Sequence, residues 1–364
     1  MKKVVILGGS FDPVHIGHIE ILKAAINRLN CDEGWLMIAP SPRWKNKYAS
    51  LNFRLRLLSY VEKNEENIKV CKDEIEIKGT TYTYNTFLKL KEKYQDIEFY
   101  FLLGADQLDK LHLWYEIEKL SKLINLVVVN RPHYSLNNEN LKKYNCNLLD
   151  YTGPDISSTD FKNNINLSLI PNYLHELIIK DGSYYKKKLR KMLNINRYRH
   201  STSVAKVAVA IAKANKFDVN KAFLAALLHD CAKDIRKDIE EEMMLNYFSK
   251  YLNEKELVYH QFIGSILVQK EFSIYDYDII EAIKWHTTGN ENMSTLAKIV
   301  YCADKIDPGR GYNSRFMIKA CMEDIDKGFE LVLLENYKFL MNKKDFNLES
   351  SELTKKCLKY YKIV

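Results

Sequence analysis

The chain has 364 residues, 46% of them hydrophobic and 28% charged, which is the balance of a folded two-domain protein and excludes a disordered or collagen-like one. No apolar run approaches the roughly 18 residues of a membrane span, and the apolar start Val4-Val5-Ile6-Leu7 ends at Gly8, too early for a signal peptide, so a cytoplasmic protein is expected. The net charge of +8 is uneven: residues 1–185 carry 24 basic and 23 acidic side chains, residues 186–364 carry 31 and 24. The basic run Lys186-Lys187-Lys188 with Arg190 and Lys191 suits a polyanionic ligand or, more plainly, a solvated linker helix. Seven scattered cysteines with no Cys-x-x-Cys pair argue against a disulfide scaffold or a cysteine zinc site.

Residues 1–185 alternate short apolar runs with stretches of 3.6-residue spacing. Lys3–Leu7, Gly34–Ile38, Ile68–Val70, Phe99–Leu103 and Leu126–Val129 have strand length. That rhythm predicts βαβ units in a Rossmann-like, doubly wound parallel sheet. From about residue 186 the strand-like runs vanish. Val204, Val207, Ala208, Ile211 and Ala212 follow one helix face, and similar stretches cover about 221–230, 256–271, 277–287 and 294–305. Residues 186–364 are therefore expected to form an all-α domain, with the boundary near Asp181-Gly182-Ser183.

The first strand runs into Gly8-Gly9-Ser10-Phe11-Asp12-Pro13-Val14-His15-Ile16-Gly17-His18, and a helix follows. The two glycines let backbone amides approach a ligand, and a helix N-terminus favours an anion. His15 and His18, three residues apart, face one side at the C-terminal edge of the sheet, where open α/β sheets bind ligands. Two imidazole donors there suit a triphosphate.

Taken with Thr81-Tyr82-Thr83-x-x-Thr86, Gly104-Ala105-Asp106-x-Leu108 with Trp114 downstream, Arg131-Pro132-x-Tyr134 and Ile156-Ser157-Ser158-Thr159, this segment resembles the nucleotidyltransferase superfamily. Within it, the combination is most similar to the bacterial nicotinate mononucleotide adenylyltransferases; His-x-Gly-His alone would also fit pantetheine-phosphate or cytidylyl transferases. The resemblance covers residues 1 to about 180. It implies that the 5′-phosphate of nicotinate mononucleotide attacks the α-phosphorus of ATP and pyrophosphate leaves. Mg²⁺ accompanies the ATP, and no general base is needed because the attacking phosphate is already anionic. Carried over, Gly8, Gly9, Ser10, Phe11, His15, His18, Gly104, Asp106, Ser158 and Thr159 would bind ATP, with His15 and His18 catalytic. Tyr82, Thr83 and Trp114 would lie near the pyridine ring. Two departures stand out. The family's His-Lys pair is reduced to Lys45 within Ser41-Pro42-Arg43-Trp44-Lys45, leaving that lysine as the catalytic cation, and an arginine after Ile-Ser-Ser-Thr is replaced by Lys162.

Four of the nine histidines lie beyond residue 186: His200, His229, His260 and His286. Each is expected on an otherwise apolar helix face, with His229-Asp230 adjacent and Asp304 following Leu296 and Val300 at i+8 and i+4. Inward polar residues from successive helices are how helical domains build metal sites. Nitrogen and carboxylate donors without cysteine favour iron, manganese or another borderline divalent ion over structural zinc. The order His200, His229-Asp230, His260, His286, Asp304 resembles the HD-domain phosphohydrolases in their six-ligand, two-metal form. Arg197-Tyr198-x-His200, His229-Asp230-x-Ala232-Lys233, His286-Thr287-Thr288-Gly289 and Ala303-Asp304-x-Ile306 narrow the likeness to bacterial symmetrical diadenosine tetraphosphate hydrolases, over about 190–320. The resemblance implies that Asp230 bridges the two metals and Lys233 contacts a phosphate.

The whole chain thus reads as a bifunctional enzyme acting on small nucleotides: ATP, nicotinate mononucleotide and diadenosine tetraphosphate. Two alternatives stay open, that the helical half hydrolyses a different nucleotide and that it is a metal-containing nucleotide sensor regulating the first half. Nothing demands nucleic acid or a membrane, and a homo-oligomer is compatible with the chain.

Overall fold

The computed structural model describes residues 1–40, 48–77, 82–130, 134–152, 154–311, 313–342, 348 and 351–364. Six strands form one parallel sheet: β1 (Lys2–Gly9), β2 (Glu33–Ile38), β3 (Ile68–Cys71), β4 (Ile97–Gly104), β5 (Asn125–Asn130) and β6 (Asn147–Thr152), in the order β3-β2-β1-β4-β5-β6. Val4, Val5 and Ile6 are consecutive and fully buried, as in a sheet covered on both faces. Leu7 pairs with Leu36 of β2 on one side and with Leu102 of β4 on the other. The strand order reverses between β1 and β4, so their C-terminal ends, Gly9 and Gly104, flank the crevice where such sheets hold ligands.

Strand β6 had no counterpart among the predicted runs. It is an edge strand reading Asn-Leu-Leu-Asp-Tyr-Thr, and only Leu149 is buried in it, so it lacks the apolar signal of the central strands.

The described residues divide into two compact units, 1–162 with 166–177 and 163–165 with 178–364. The charge step at 185/186 falls inside a continuous helix, Ser183–Met192. That helix buries Tyr184, Tyr185 and Leu189 while Lys187, Arg190 and Lys191 stay exposed, so the basic run is one face of a packed helix.

The second unit is helical throughout. Ile195–Ala214 starts at an Asn194 cap that accepts from the backbone of Asn196 and Arg197, and Thr295–Lys305 starts at a Ser294 cap that accepts from Ala297. Val219–Leu228, Tyr259–Phe272 and Tyr277–Lys284 complete the layer that carries the histidines. Lys237–Phe248, Arg315–Glu323, Ile325–Met341 and Glu352–Tyr360 were not predicted. No helix among the described residues is long and apolar enough to cross a membrane.

Candidate functional site

Two sites emerge, one in each unit. In the first, β1 ends at Gly8-Gly9 and the chain turns through Ser10–Val14 into the helix Ile16–Arg28. His15 is the cap residue of that helix and His18 its third position, so the two rings lie against each other with centroids 3.5 Å apart and planes tilted by 32°. The backbone N–H of His15 donates to His18 Nδ1 at 3.2 Å. In its neutral form His18 therefore carries its proton on Nε2, as a donor. A β-carbon at Gly8 would meet the Phe101 ring at 3.2 Å and one at Gly9 the Phe11 ring at 3.2 Å, so any larger residue there would crowd these rings.

These residues line a cavity of about 660 Å³ together with Gly104, Asp106, Trp114, Ser158, Thr159 and Lys162. Ser158 donates its hydroxyl to the Pro13 carbonyl at 3.0 Å, tying the start of helix Ser158–Asn164 to the loop after β1. Trp114 packs edge-on to Phe101, with centroids 6.4 Å apart. Of the other expected residues, Tyr82 and Thr83 do not line this cavity; Tyr82 is half-exposed and stacks on Tyr115 at 4.6 Å. Lys45, with Ser41 to Trp44, lies outside the described residues, as do Thr81, Arg131 and Pro132.

Arg54 escaped the sequence reading. It is fully buried, and its guanidinium donates to the carbonyls of Ser10, of Pro40 at 3.1 Å and of Ala39 at 3.4 Å, fastening the loop after β1 to the end of β2. A signal was present: Arg54, Leu57, Leu58 and Val61 keep the i, i+3, i+4, i+7 spacing, which puts the arginine on the buried face. Asp12 is tied down similarly, accepting from the backbone N–H of Tyr48 at 3.0 Å and of Ala49 at 3.1 Å, with Lys162 3.8 Å away.

In the second unit, His200 and Asp304 project from helices Ile195–Ala214 and Thr295–Lys305, and His260 from the start of Tyr259–Phe272. His229 and His286 do not sit on helix faces as expected. Each lies just past a helix end, where Val219–Leu228 and Tyr277–Lys284 unwind into turns, because there the Nδ1–H can donate backwards to a freed carbonyl. His229 Nδ1 donates to Ala226 O and His286 Nδ1 to Ile283 O, both at 2.7 Å. His200 Nδ1 likewise faces Asp307 Oδ2 at 2.8 Å. At His229 and His286 these bonds leave the Nε2 lone pair as the free acceptor, the arrangement of metal-ligating imidazoles.

Asp230 lies among three of the imidazoles. Its Oδ2 is 3.6 Å from His229 Nε2, and its Oδ1 is 3.3 Å from His260 Nε2 and 3.4 Å from His286 Nε2. Asp304 Oδ1 is 3.0 Å from His200 Nε2 and 3.7 Å from His229 Nε2. Donor atoms of His200, His229 and Asp304, and those of His229, Asp230 and His286, each lie within 4.8 Å of one another. Lys233 places Nζ 3.1 Å from His260 Nδ1.

The electrostatics of this cluster call for a cation. Burial lowers His229 to about 4 and also depresses His260 and His286, so burial favours the neutral rings; at His229 and His286 the Nδ1 donation leaves Nε2 as the acceptor. Burial would raise Asp230, but the imidazoles of His229, His260 and His286 around it outweigh burial and hold the carboxyl well below the usual range. Asp304 is also held low against burial, by Lys305 and His200. His200 is the exception. Burial opposes its charge, yet hydrogen bonds to Asp304 and Asp307 raise its pKa to about 9. The outcome is lone pairs facing carboxylate oxygens, and His229 Nε2 is buried with no hydrogen-bond partner among the described residues. Such a nitrogen is costly to bury unless it coordinates something. The cluster fits a divalent metal centre.

Asp307 was the residue missed here. It is 1% exposed, and besides His200 it accepts from the Ser203 hydroxyl at 2.5 Å and the Gly309 backbone at 3.2 Å. Nothing in its spacing separates it from an ordinary cap of the short turn Pro308–Arg310.

Comparison with known proteins matches residues 6–164 to the cytidylyltransferase-like family and residues 197–309 to the HD domain. A protein of Mycoplasma genitalium named probable nicotinate-nucleotide adenylyltransferase/Ap4A hydrolase is 31% identical over 315 residues, spanning 85% of this chain and 88% of its own. The Mycoplasma pneumoniae protein of the same name is 27% identical over 338 residues, 90% of this chain and 97% of its own. A probable nicotinate-nucleotide adenylyltransferase of Bacillus cereus is 40% identical over 139 residues, 37% of this chain and 73% of its own. With 31% identity to a relative covered over 88% of its length, the chain belongs to the family of these mycoplasmal proteins, and it joins a cytidylyltransferase-like half to an HD half.

Proposed function

We propose that the chain is a bifunctional nucleotide enzyme. The first unit transfers the adenylyl group of ATP to nicotinate mononucleotide, giving nicotinate adenine dinucleotide and pyrophosphate. The second hydrolyses diadenosine tetraphosphate symmetrically to two ADP.

For the first reaction, the observation that carries most weight is the His15–His18 helix start facing Gly104, Asp106 and Ser158 across one cavity at the strand reversal. The nucleophile is already a phosphate oxyanion, so the protein's task is to position it and neutralise charge. His18 donates from Nε2 and the helix N-terminus adds backbone donors. Gly8 and Gly9 admit the phosphates, Asp106 faces the ribose side, and Trp114 offers its ring to the pyridine. Thr159 is assigned to the phosphates in the same cavity; Tyr82 and Thr83, which do not line it, are assigned to the nicotinate side by resemblance alone, as Lys45 is to the phosphates, and Mg²⁺ travels with ATP.

For the second reaction, the buried unpartnered His229 Nε2 among carboxylates carries the reading. His200, His229, Asp230, His260, His286 and Asp304 are the residues that would hold a pair of divalent ions, with Asp230 central among the imidazoles. Bound divalent ions, iron or manganese, supply Lewis-acid activation of water and of the phosphoryl group. Lys233, whose Nζ lies 3.1 Å from His260 Nδ1, is assigned to a phosphate oxygen. The test is hydrolysis by anaerobically purified protein reconstituted in turn with iron, manganese, zinc and magnesium. ADP as sole product, with iron or manganese required, is expected. Failure to turn over any nucleotide with metal bound would replace the hydrolase by a nucleotide-sensing module.

A further inference from the structure

The turn that follows His286 is held from a neighbouring helix by a side chain outside the donor set. Gln261 comes directly after His260 in helix Tyr259–Phe272 and is fully buried. Its Oε1 accepts the backbone N–H of Thr287 at 3.1 Å and of Thr288 at 3.2 Å, and its Nε2 donates to the Thr288 hydroxyl at 3.1 Å. Backbone N–H groups only donate, so the amide is fixed in this orientation. The Thr288 hydroxyl in turn donates to the Gly289 carbonyl at 2.9 Å. A buried amide is costly unless its bonds are made, and an apolar side chain would fill the same space without that cost. The polar head of Gln261 therefore serves the turn rather than the packing.

What it does there follows from the Ile283 carbonyl. In a continuing α-helix that carbonyl would accept the N–H of Thr287, four residues on. Here it accepts from His286 Nδ1 at 2.7 Å, while the Thr287 N–H goes to Gln261. We infer that Gln261 is a positioning residue for the His–Asp cluster. By taking the N–H groups of Thr287 and Thr288 it reserves the Ile283 carbonyl for His286, and so holds His286 Nε2 3.2 Å from His260 Nε2 and 3.4 Å from Asp230 Oδ1. The same turn places the Thr287 hydroxyl 3.0 Å from His286 Nε2 and 3.2 Å from His260 Nε2. Because Gln261 adjoins His260 in sequence, one side chain sets the spacing of two candidate ligands carried by different helices. The inference rests on the metal-centre reading above and on no particular substrate.

The test measures manganese affinity of the full-length chain by chelator competition, without substrate. Gln261→Met keeps the volume and removes every polar bond, and it should weaken manganese binding by about tenfold or more, as loss of an orienting partner does. Gln261→Glu keeps an oxygen for the two N–H groups and should recover most of that loss. Tyr361→Phe is the structural control, since the Tyr361 hydroxyl accepts from the Met293 backbone at 2.8 Å farther along the same loop. It should move the affinity less than twofold. A cooperative urea transition of each metal-free variant verifies folding. If the methionine variant does not fold, Gln261→Asn, whose shorter amide falls short of the turn, takes its place. Unchanged manganese binding without the Gln261 bonds, no recovery in Gln261→Glu, or an equal loss in Tyr361→Phe would overturn the positioning role. A chain that loses manganese affinity with Gln261 as expected, yet hydrolyses no nucleotide when wild type, would keep the positioning role and sink the hydrolase reading instead.

Discussion

Asp307 follows Asp304 by one short turn and takes the Nδ1 proton of His200, so the ring that faces the cluster is held by a carboxylate that does not itself face it. Orienting partners of this kind typically account for 10–100-fold in metal affinity. Asp307→Ala should therefore weaken manganese retention by about 10–100-fold, read by chelator competition, while Asp307→Asn, whose amide oxygen still accepts from His200, recovers much of the loss. Equal retention in all three proteins would show that His200 needs no anchor. Arg54 acts in the same indirect way in the first unit. Its buried charge is matched by three loop carbonyls, so the conformation of the loop after β1 depends on a side chain that contributes nothing to the cavity wall.

At the scale of elements, the helix Ile16–Arg28 aims both histidines, and its seat on the sheet is set by Gly34 of β2. A β-carbon at Gly34 would come within 2.7 Å of Leu22 Cγ and 2.8 Å of Ile26 Cδ1, both side chains being buried. Gly34→Ala must displace the Leu22 and Ile26 side chains, and the helix with them where the buried packing leaves no room, and should cost about 1–3 kcal/mol by urea denaturation. It should also raise the KM for ATP, because the same displacement moves His15 and His18. Unchanged stability would mean that the helix slides without loss of packing. In the helical unit the elements act through their ends. His229 and His286 gain their orientation from carbonyls that a continuing helix would have occupied.

For the molecule as a whole, the cavity of the first unit and the His–Asp cluster of the second share no residue. His18→Ala should lower adenylyl transfer by about 10²–10³-fold, the usual cost of losing one transition-state donor, and leave hydrolysis intact. The pair His229→Ala and Asp230→Ala should do the reverse, with both variants assayed for both products. Loss of both activities in either folded variant would show that the sites depend on one another.

Much of this was legible from sequence because periodicity and motif spacing are local properties. Strand-length apolar runs specify β1 to β5, Gly8-Gly9 and His15–His18 specify a phosphate-binding turn, and the order of His200, His229-Asp230, His260, His286 and Asp304 specifies a set of donors. What the local pattern omitted has a consistent cause. Strand β6 and the helices after residue 310 carry few buried positions or no recognisable motif, and Arg54 and Asp307 are ordinary residues until the chain folds around them. Donor identity is thus written in the sequence. That the Nε2 atoms of four histidines meet around Asp230 and Asp304, and that Gln261 reaches the turn after His286, depends on contacts between segments tens to about a hundred residues apart, which only tertiary packing decides.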